Sequence, residues 1–159
     1  MANPKFILDL NVGRLAKWLR IMGYDAFFVP GIEDGELVCL AQEEGRILLT
    51  RDRFIMKRCI VTTGELGALL IESESLEDQL LQVVETYHLN TQEEFSCCIE
   101  CNVSLTNVAR EQVQERVPPF VFQSQEEFME CSSCLKLYWR GTHRHNMLKE
   151  LAMIGEVEW

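Results

Sequence analysis

Short apolar runs alternate with stretches of helical spacing along most of the chain before residue 90. Phe6-Ile7-Leu8-Asp9-Leu10 predicts a strand that ends at an acid, and Leu15, Trp18, Leu19 and Met22 then share one side of a helix running from Gly13. Ala26-Phe27-Phe28-Val29 predicts a second strand, closed by Pro30-Gly31, and Leu37, Leu40 and Ala41 an amphipathic helix stopping near Gly45. Arg46-Ile47-Leu48-Leu49-Thr50 is a third strand leading into Arg51-Asp52. Residues 53–58 read as a short helix and Gly67 to Ile71 as a fourth strand. Leu76 to Tyr87 reads as a helix capped by Ser73 or Ser75. Strands alternating with helices predict an α/β fold, a parallel sheet flanked by helices on both faces.

The pattern changes at Asn90-Thr91-Gln92-Glu93-Glu94, which is polar and aperiodic, and five of the seven cysteines lie beyond it. The expected organisation is an α/β domain over residues 1–92 and a second, small unit over 93–159. So small a unit needs a staple. No internal repeat or low-complexity tract suggests a solenoid or a disordered tail.

Composition narrows the setting. The apolar runs are too short to cross a bilayer and the start lacks the layout of a signal peptide, so the protein is expected to be cytoplasmic, without a membrane partner. In a reducing compartment, seven cysteines point to metal ligation and buried thiols before disulfides. The formal charge of −10 argues at first against nucleic acid, but its distribution is uneven. Residues 1–58 hold nine Lys/Arg against eight Asp/Glu, whereas residues 59–94 hold eight Asp/Glu and no Lys/Arg. From Lys136 to Lys149 four basic residues face no acid.

Cys98-Ile99-Glu100-Cys101 and Cys131-Ser132-Ser133-Cys134 are two C-x2-C pairs separated by 29 residues, the ligand pattern of a zinc ribbon with a long insert. Two residues between thiolates let one tight turn aim both sulfurs at one tetrahedral ion. Four thiolates close the shell, so the expected zinc is structural. Cys39 and Cys59 read as buried small hydrophobes, and Cys97 as a neighbour of the ligands.

Asp9 ends the first strand, Asp34 and Glu36 open the helix after the second, and Asp52 follows the third. In a parallel sheet these strand ends share one edge, where such folds place their ligands. Acids gathered there call for a divalent cation, Mg²⁺ or Mn²⁺, able to activate water against a phosphodiester. The same spacing equally fits Asp34 as a first-turn acid and Asp52 as a turn residue. Arg14, Lys17 and Arg20 span one arc of a helix and are candidate phosphate contacts, as is Arg51; a solvated face is the alternative. In the tail, Arg140 and His143, with Trp139, Arg144 and His145, combine charge and stacking surface suited to RNA. Packing of the ribbon against the first domain by Tyr138 and Trp139 is the competing explanation.

Leu8-Asp9-Leu10-Asn11-Val12-Gly13-Arg14-Leu15-Ala16-Lys17-Trp18-Leu19-Arg20, Gly45 through Asp52, the cysteine pairs with Val117-Pro118-Pro119 between them, and Tyr138 through His143 with Met147 together resemble the Mut-seven carboxy-terminal RNase family. The resemblance runs from about residue 5 to 148. It implies a PIN-like nuclease domain joined to a zinc ribbon, and metal-dependent hydrolysis of RNA with Asp9, Asp34 and Asp52 at the acidic positions. Two residues depart from the pattern. Leu135 stands where ribbons favour glycine for a positive φ, and Phe54 stands where related PIN-like proteins often carry a further acid. Glu36 is the candidate to replace that acid.

Three functions compete on these grounds. The leading expectation is a Mg²⁺- or Mn²⁺-dependent ribonuclease with a structural zinc. The alternative is a catalytically silent RNA- or protein-binding zinc-ribbon module on a nuclease-like fold. A phosphatase with Asp9 as nucleophile is weak, because Asn11 occupies the place of its general acid.

Overall fold

The structure is a computed structural model that describes residues 2–90, 96–140 and 149. The chain divides into two compact units, Met1–Glu94 and Phe95–Trp159, with the division falling in the polar stretch that closes the α/β pattern.

In the first unit the strands are β1 (Phe6–Leu8), β2 (Ala26–Phe27), β3 (Ile47–Thr50) and β4 (Ala68–Leu70). All are parallel, in the order β2-β1-β3-β4. Between them run a 3-10 turn at Leu10–Val12, α1 (Leu15–Ile21), α2 (Asp34–Glu43), α3 (Arg53–Met56) and α4 (Cys59–Thr62), with α5 (Leu76–Tyr87) after the last strand. β1 is buried at every residue, as a central strand covered on both faces must be. Ile7 and Leu48 point to one face, where Leu37, Val38 and Ala41 of α2 and Ile55 of α3 cover them. By alternation Phe6 points to the other, and its ring meets Tyr87 of α5 at 5.6 Å.

α5 shows why these residues choose a helix. Leu80, Val83 and Val84 form its buried stripe, the Ser75 hydroxyl caps the amide of Asp78, and Glu77 and Asp78 place negative charge in the first turn. His88, at φ 50°, ends it. Where the 3-10 turn enters α1, Gly13 is required by a neighbour: a Cβ there would lie 2.3 Å from the tip of the Phe28 ring. Trp18 is buried in α1, as its phase with Leu15 and Leu19 predicts.

The second unit is a three-stranded antiparallel sheet, β5 (Leu105–Val108), β6 (Phe128–Cys131) and β7 (Leu137–Trp139), in that order. Two short helices, α6 (Arg110–Val113) and α7 (Pro119–Ser124), fill the connection from β5 to β6. They supply Val113 and Val121, which with Val117 and Phe128 make a four-residue buried cluster. Trp139 packs against this cluster, its ring 6.4 Å from Phe128, so it serves packing within its own unit.

Candidate functional site

The strand order reverses direction between β1 and β3. The chain goes from β1 outward to β2, then returns to build β3 and β4 on the other side. Connections on either side of that point lead to opposite sides of the sheet, which opens a crevice at the carboxyl ends of the two strands. Asp9 and Asp52 are the acids that follow those two ends.

Thr50, fully buried as the last residue of β3, joins them. Its hydroxyl donates to Asp9 Oδ2 at 2.7 Å and accepts the backbone N–H of Asp52 at 2.9 Å. The other oxygen of Asp9 accepts the Leu10 amide at 2.7 Å, and Asp52 Oδ1 accepts the Phe54 amide at 2.7 Å. Each acid therefore also caps the turn that follows it, Asp9 the 3-10 turn and Asp52 α3. Capping and ligation are compatible, since a carboxylate offers about four lone pairs.

Asp34 and Glu36 lie exposed in the first turn of α2, where negative charge favours the helix dipole. Among the described residues, the group of three or more acids, histidines or cysteines whose ligand atoms converge within 4.8 Å is that of the four cysteines. Asp9, Asp34, Glu36 and Asp52 do not close into a comparable cluster.

The basic candidates part company. Arg14, at the N-cap of α1, and Lys17, on the helix, are exposed, with Lys17 Nζ 5.6 Å from the centre of the Trp18 ring. Arg20 is buried and its Nε donates to the Ala26 carbonyl at 2.9 Å, which ties α1 to β2 instead of presenting a cation to solvent. Arg51 is half-buried, pairs with Glu74 at 3.2 Å and, with Arg53, Leu70, Ile71 and Glu72, lines a cavity of about 380 Å³ at the ends of β3 and β4. Arg140 pairs with Glu127 at 3.5 Å, and His143, Arg144 and His145 lie outside the described residues.

In the second unit Cys98 and Cys131 are buried and Cys101 and Cys134 more open, their sulfurs all within 4.8 Å of one another. Cys98 Sγ and Cys134 Sγ are 3.7 Å apart. Thiolates about 2.3 Å from a tetrahedral zinc lie roughly 3.8 Å from each other, so the donor set and its spacing fit that ion. The two knuckles are built alike. The amide of Asn102 returns to the Cys98 carbonyl and that of Leu135 to the Cys131 carbonyl, both at 2.9 Å, with φ of 58° and 61°. Asparagine tolerates this left-handed conformation; leucine is strained in it.

A model of the Mut7-C RNAse domain matches residues 4–151. The chain belongs to the Mut7-C RNAse domain family. No curated protein and no solved structure matches it. The carboxyl-edge acids and the four cysteines both fall inside the Mut7-C span. No helix among the described residues is long and apolar enough to cross a membrane.

Three features of this Mut7-C chain were not legible in its sequence. Tyr138, at the core of β7, places its hydroxyl 3.1 Å from Cys98 Sγ while accepting the Ile99 amide at 3.1 Å. Burial alone would raise the Cys98 thiol, but the Tyr138 hydroxyl and the amides of Cys101 and Glu100 bring it down to about 7, favouring the ligating thiolate. Arg46 is a clasp at the opposite, amino edge of the first sheet. It is buried, grips Asp25 with two hydrogen bonds, donates to the Phe6 carbonyl and stands 5.5 Å over Phe27. A run such as Gly45-Arg46-Ile47 gives no sign that its arginine points inward.

The third feature is a correction: Cys39 and Cys59, expected in the core, are exposed. Cys39 lies off the buried Leu37, Val38, Ala41 stripe of α2, and its thiol donates to Glu43 Oε1 at 3.4 Å. That bond and the Glu43 charge push its pKa up. Cys59 opens the short α4, which buries none of its residues.

Proposed function

We propose that this protein hydrolyses RNA phosphodiesters at the carboxyl edge of its parallel sheet, using Mg²⁺ or Mn²⁺ held by Asp9 and Asp52, while zinc on Cys98, Cys101, Cys131 and Cys134 maintains the second unit. The observation that carries the reading is the Thr50 hydroxyl joining Asp9 to the Asp52 backbone at the point of strand reversal, in a chain of the Mut7-C RNAse domain family.

The donor set suits a hard cation. Asp52 keeps Oδ2 uncommitted among the described residues, and Mg²⁺ commonly binds through one or two carboxylates, retaining waters and taking the rest of its shell from substrate phosphate. A converged three-acid cage is therefore unnecessary, and Asp34 or Glu36 would serve as an outer carboxylate rather than as a direct ligand. When bound, the cation supplies an activated water and neutralises charge on the phosphate. Thr50 holds the Asp9 carboxylate in place, the Leu10 and Phe54 amides fix both carboxylates, and Arg14, Lys17 and Arg51 attract the RNA backbone.

The test is incubation of zinc-loaded protein with end-labelled single-stranded and hairpin RNAs, with and without added Mg²⁺ or Mn²⁺, beside the Asp9→Asn/Asp52→Asn variant. Cutting that needs added cation and disappears in the folded variant supports the proposal; cutting retained in the variant ends it. A second reading, a silent RNA-binding module, is favoured by Phe54 in place of a further acid and by the open disposition of Asp34 and Glu36. It predicts equal RNA binding, and no cutting, by both proteins.

A further inference from the structure

Phe54, where a further acid was expected, is 79% exposed, a large aromatic surface facing solvent directly beside the acids. Its backbone is fixed at this edge, because its own amide is the donor to Asp52 Oδ1. On the same short helix Ile55 is buried to 1% and anchors α3 in the core, so that Arg53 and Phe54 face outward, as do Lys57 and Arg58 after it. Lys57 Nζ sits 5.6 Å from the centre of the Phe54 ring. From Arg51 to Arg58 there are four cationic side chains and one acid, in a chain whose net charge is −10. The two arginines flanking Asp52 line the 380 Å³ cavity at the ends of β3 and β4, together with Leu70, Ile71 and Glu72. That volume falls within the range of small-ligand pockets.

An exposed ring amid cations, next to a cavity with arginines, is what a flexible polyanion with flat bases requires: one surface for a base, one for its phosphate. We propose that Phe54 is a stacking platform for one unpaired nucleobase of single-stranded RNA, with the adjoining phosphate taken by Arg51 and Arg53 in this cavity. In a duplex both faces of a base are already stacked, so the platform selects single strands or frayed ends. The inference rests on the reading of the protein as acting on RNA and adds to it the class of strand.

The test uses the full zinc-loaded chain without Mg²⁺ or Mn²⁺, and measures binding of labelled single-stranded and fully paired duplex RNAs by fluorescence anisotropy. Phe54→Ala should weaken single-strand binding by roughly 5- to 100-fold while leaving binding of a fully paired duplex nearly unchanged. Phe54→Trp should bind as well as the original, with emission from the new indole quenched by single-stranded RNA. Arg51→Gln/Arg53→Gln should weaken binding and flatten its salt dependence. Phe54→Ala binding single strands within about a factor of two of the original would overturn the proposal, as would equal loss on the duplex, unresponsive Phe54→Trp emission, or no RNA binding by the original protein. The acid site is judged separately. Cutting that survives Asp9→Asn/Asp52→Asn defeats the nuclease mechanism and leaves the platform to the binding data, whereas unaltered binding by Phe54→Ala defeats the platform alone.

Discussion

Thr50→Val probes the bridge between the two acids with little other disturbance. Valine keeps the shape of threonine and suits a strand, and position 50 is fully buried, so the change removes one hydroxyl and little packing. Two bonds are lost: the one donated to Asp9 at 2.7 Å and the one accepted from the Asp52 amide at 2.9 Å. A bond to a charged group contributes about 1.5–3 kcal/mol and a neutral one about 0.5–1.5 kcal/mol. Asp9 is partly exposed and water recovers part of the first, so a loss of ~1.5–3 kcal/mol is expected. Urea unfolding of Thr50→Val, Asp9→Asn and the double variant gives the coupling directly, expected at about 1 kcal/mol or more. RNA cutting should fall roughly 10- to 100-fold in Thr50→Val, as when the support behind a metal ligand is removed. Thr50→Ser, which keeps the hydroxyl, should recover most of both. Stability within about 0.5 kcal/mol of the original and no coupling to Asp9 would refute the bridge.

Other consequences are as specific. Arg46→Met leaves Asp25 without its clasp and should destabilise the first unit by ~2–4 kcal/mol, seen as a lower urea midpoint; a cost under about 1 kcal/mol would show the clasp to be incidental. Leu135→Gly relieves a left-handed leucine whose side chain is largely exposed, and should stabilise the zinc-loaded second unit by about 0.5–1 kcal/mol. The same change at Asn102 should be close to neutral, and thermal melts of both distinguish the cases. Removing zinc with a strong chelator should unfold the second unit, whose buried hydrophobic cluster among the described residues is four side chains, while hydrogen exchange in β1 and β3 stays protected. Cys39, although exposed, should alkylate slowly because Glu43 disfavours its thiolate. Glu43→Gln lowers that pKa and should speed alkylation, by a factor that shrinks as pH rises through the pKa of the thiol.

The sequence by itself determined the sheet. Runs such as Phe6-Ile7-Leu8 and Ile47-Leu48-Leu49 lack alternation because both faces are covered, and the helical phase of Leu80, Val83 and Val84 needs only local geometry to be read. The four cysteines were equally legible, since a C-x2-C turn sets the directions of its own sulfurs. The positive φ at Leu135 followed from the same turn. Tertiary structure decided what depends on contacts between distant segments. It turned Arg20 and Arg46 inward, where carbonyls and Asp25 receive them, although charge alone predicts solvent. It left Cys39 and Cys59 exposed, because helix register and length determine which side chain a face buries. It tied Asp9 to Asp52 through Thr50, which stands 41 positions after Asp9, and set Phe54 at their edge. Local periodicity carries no information about such pairings; they exist only once β1 and β3 lie side by side.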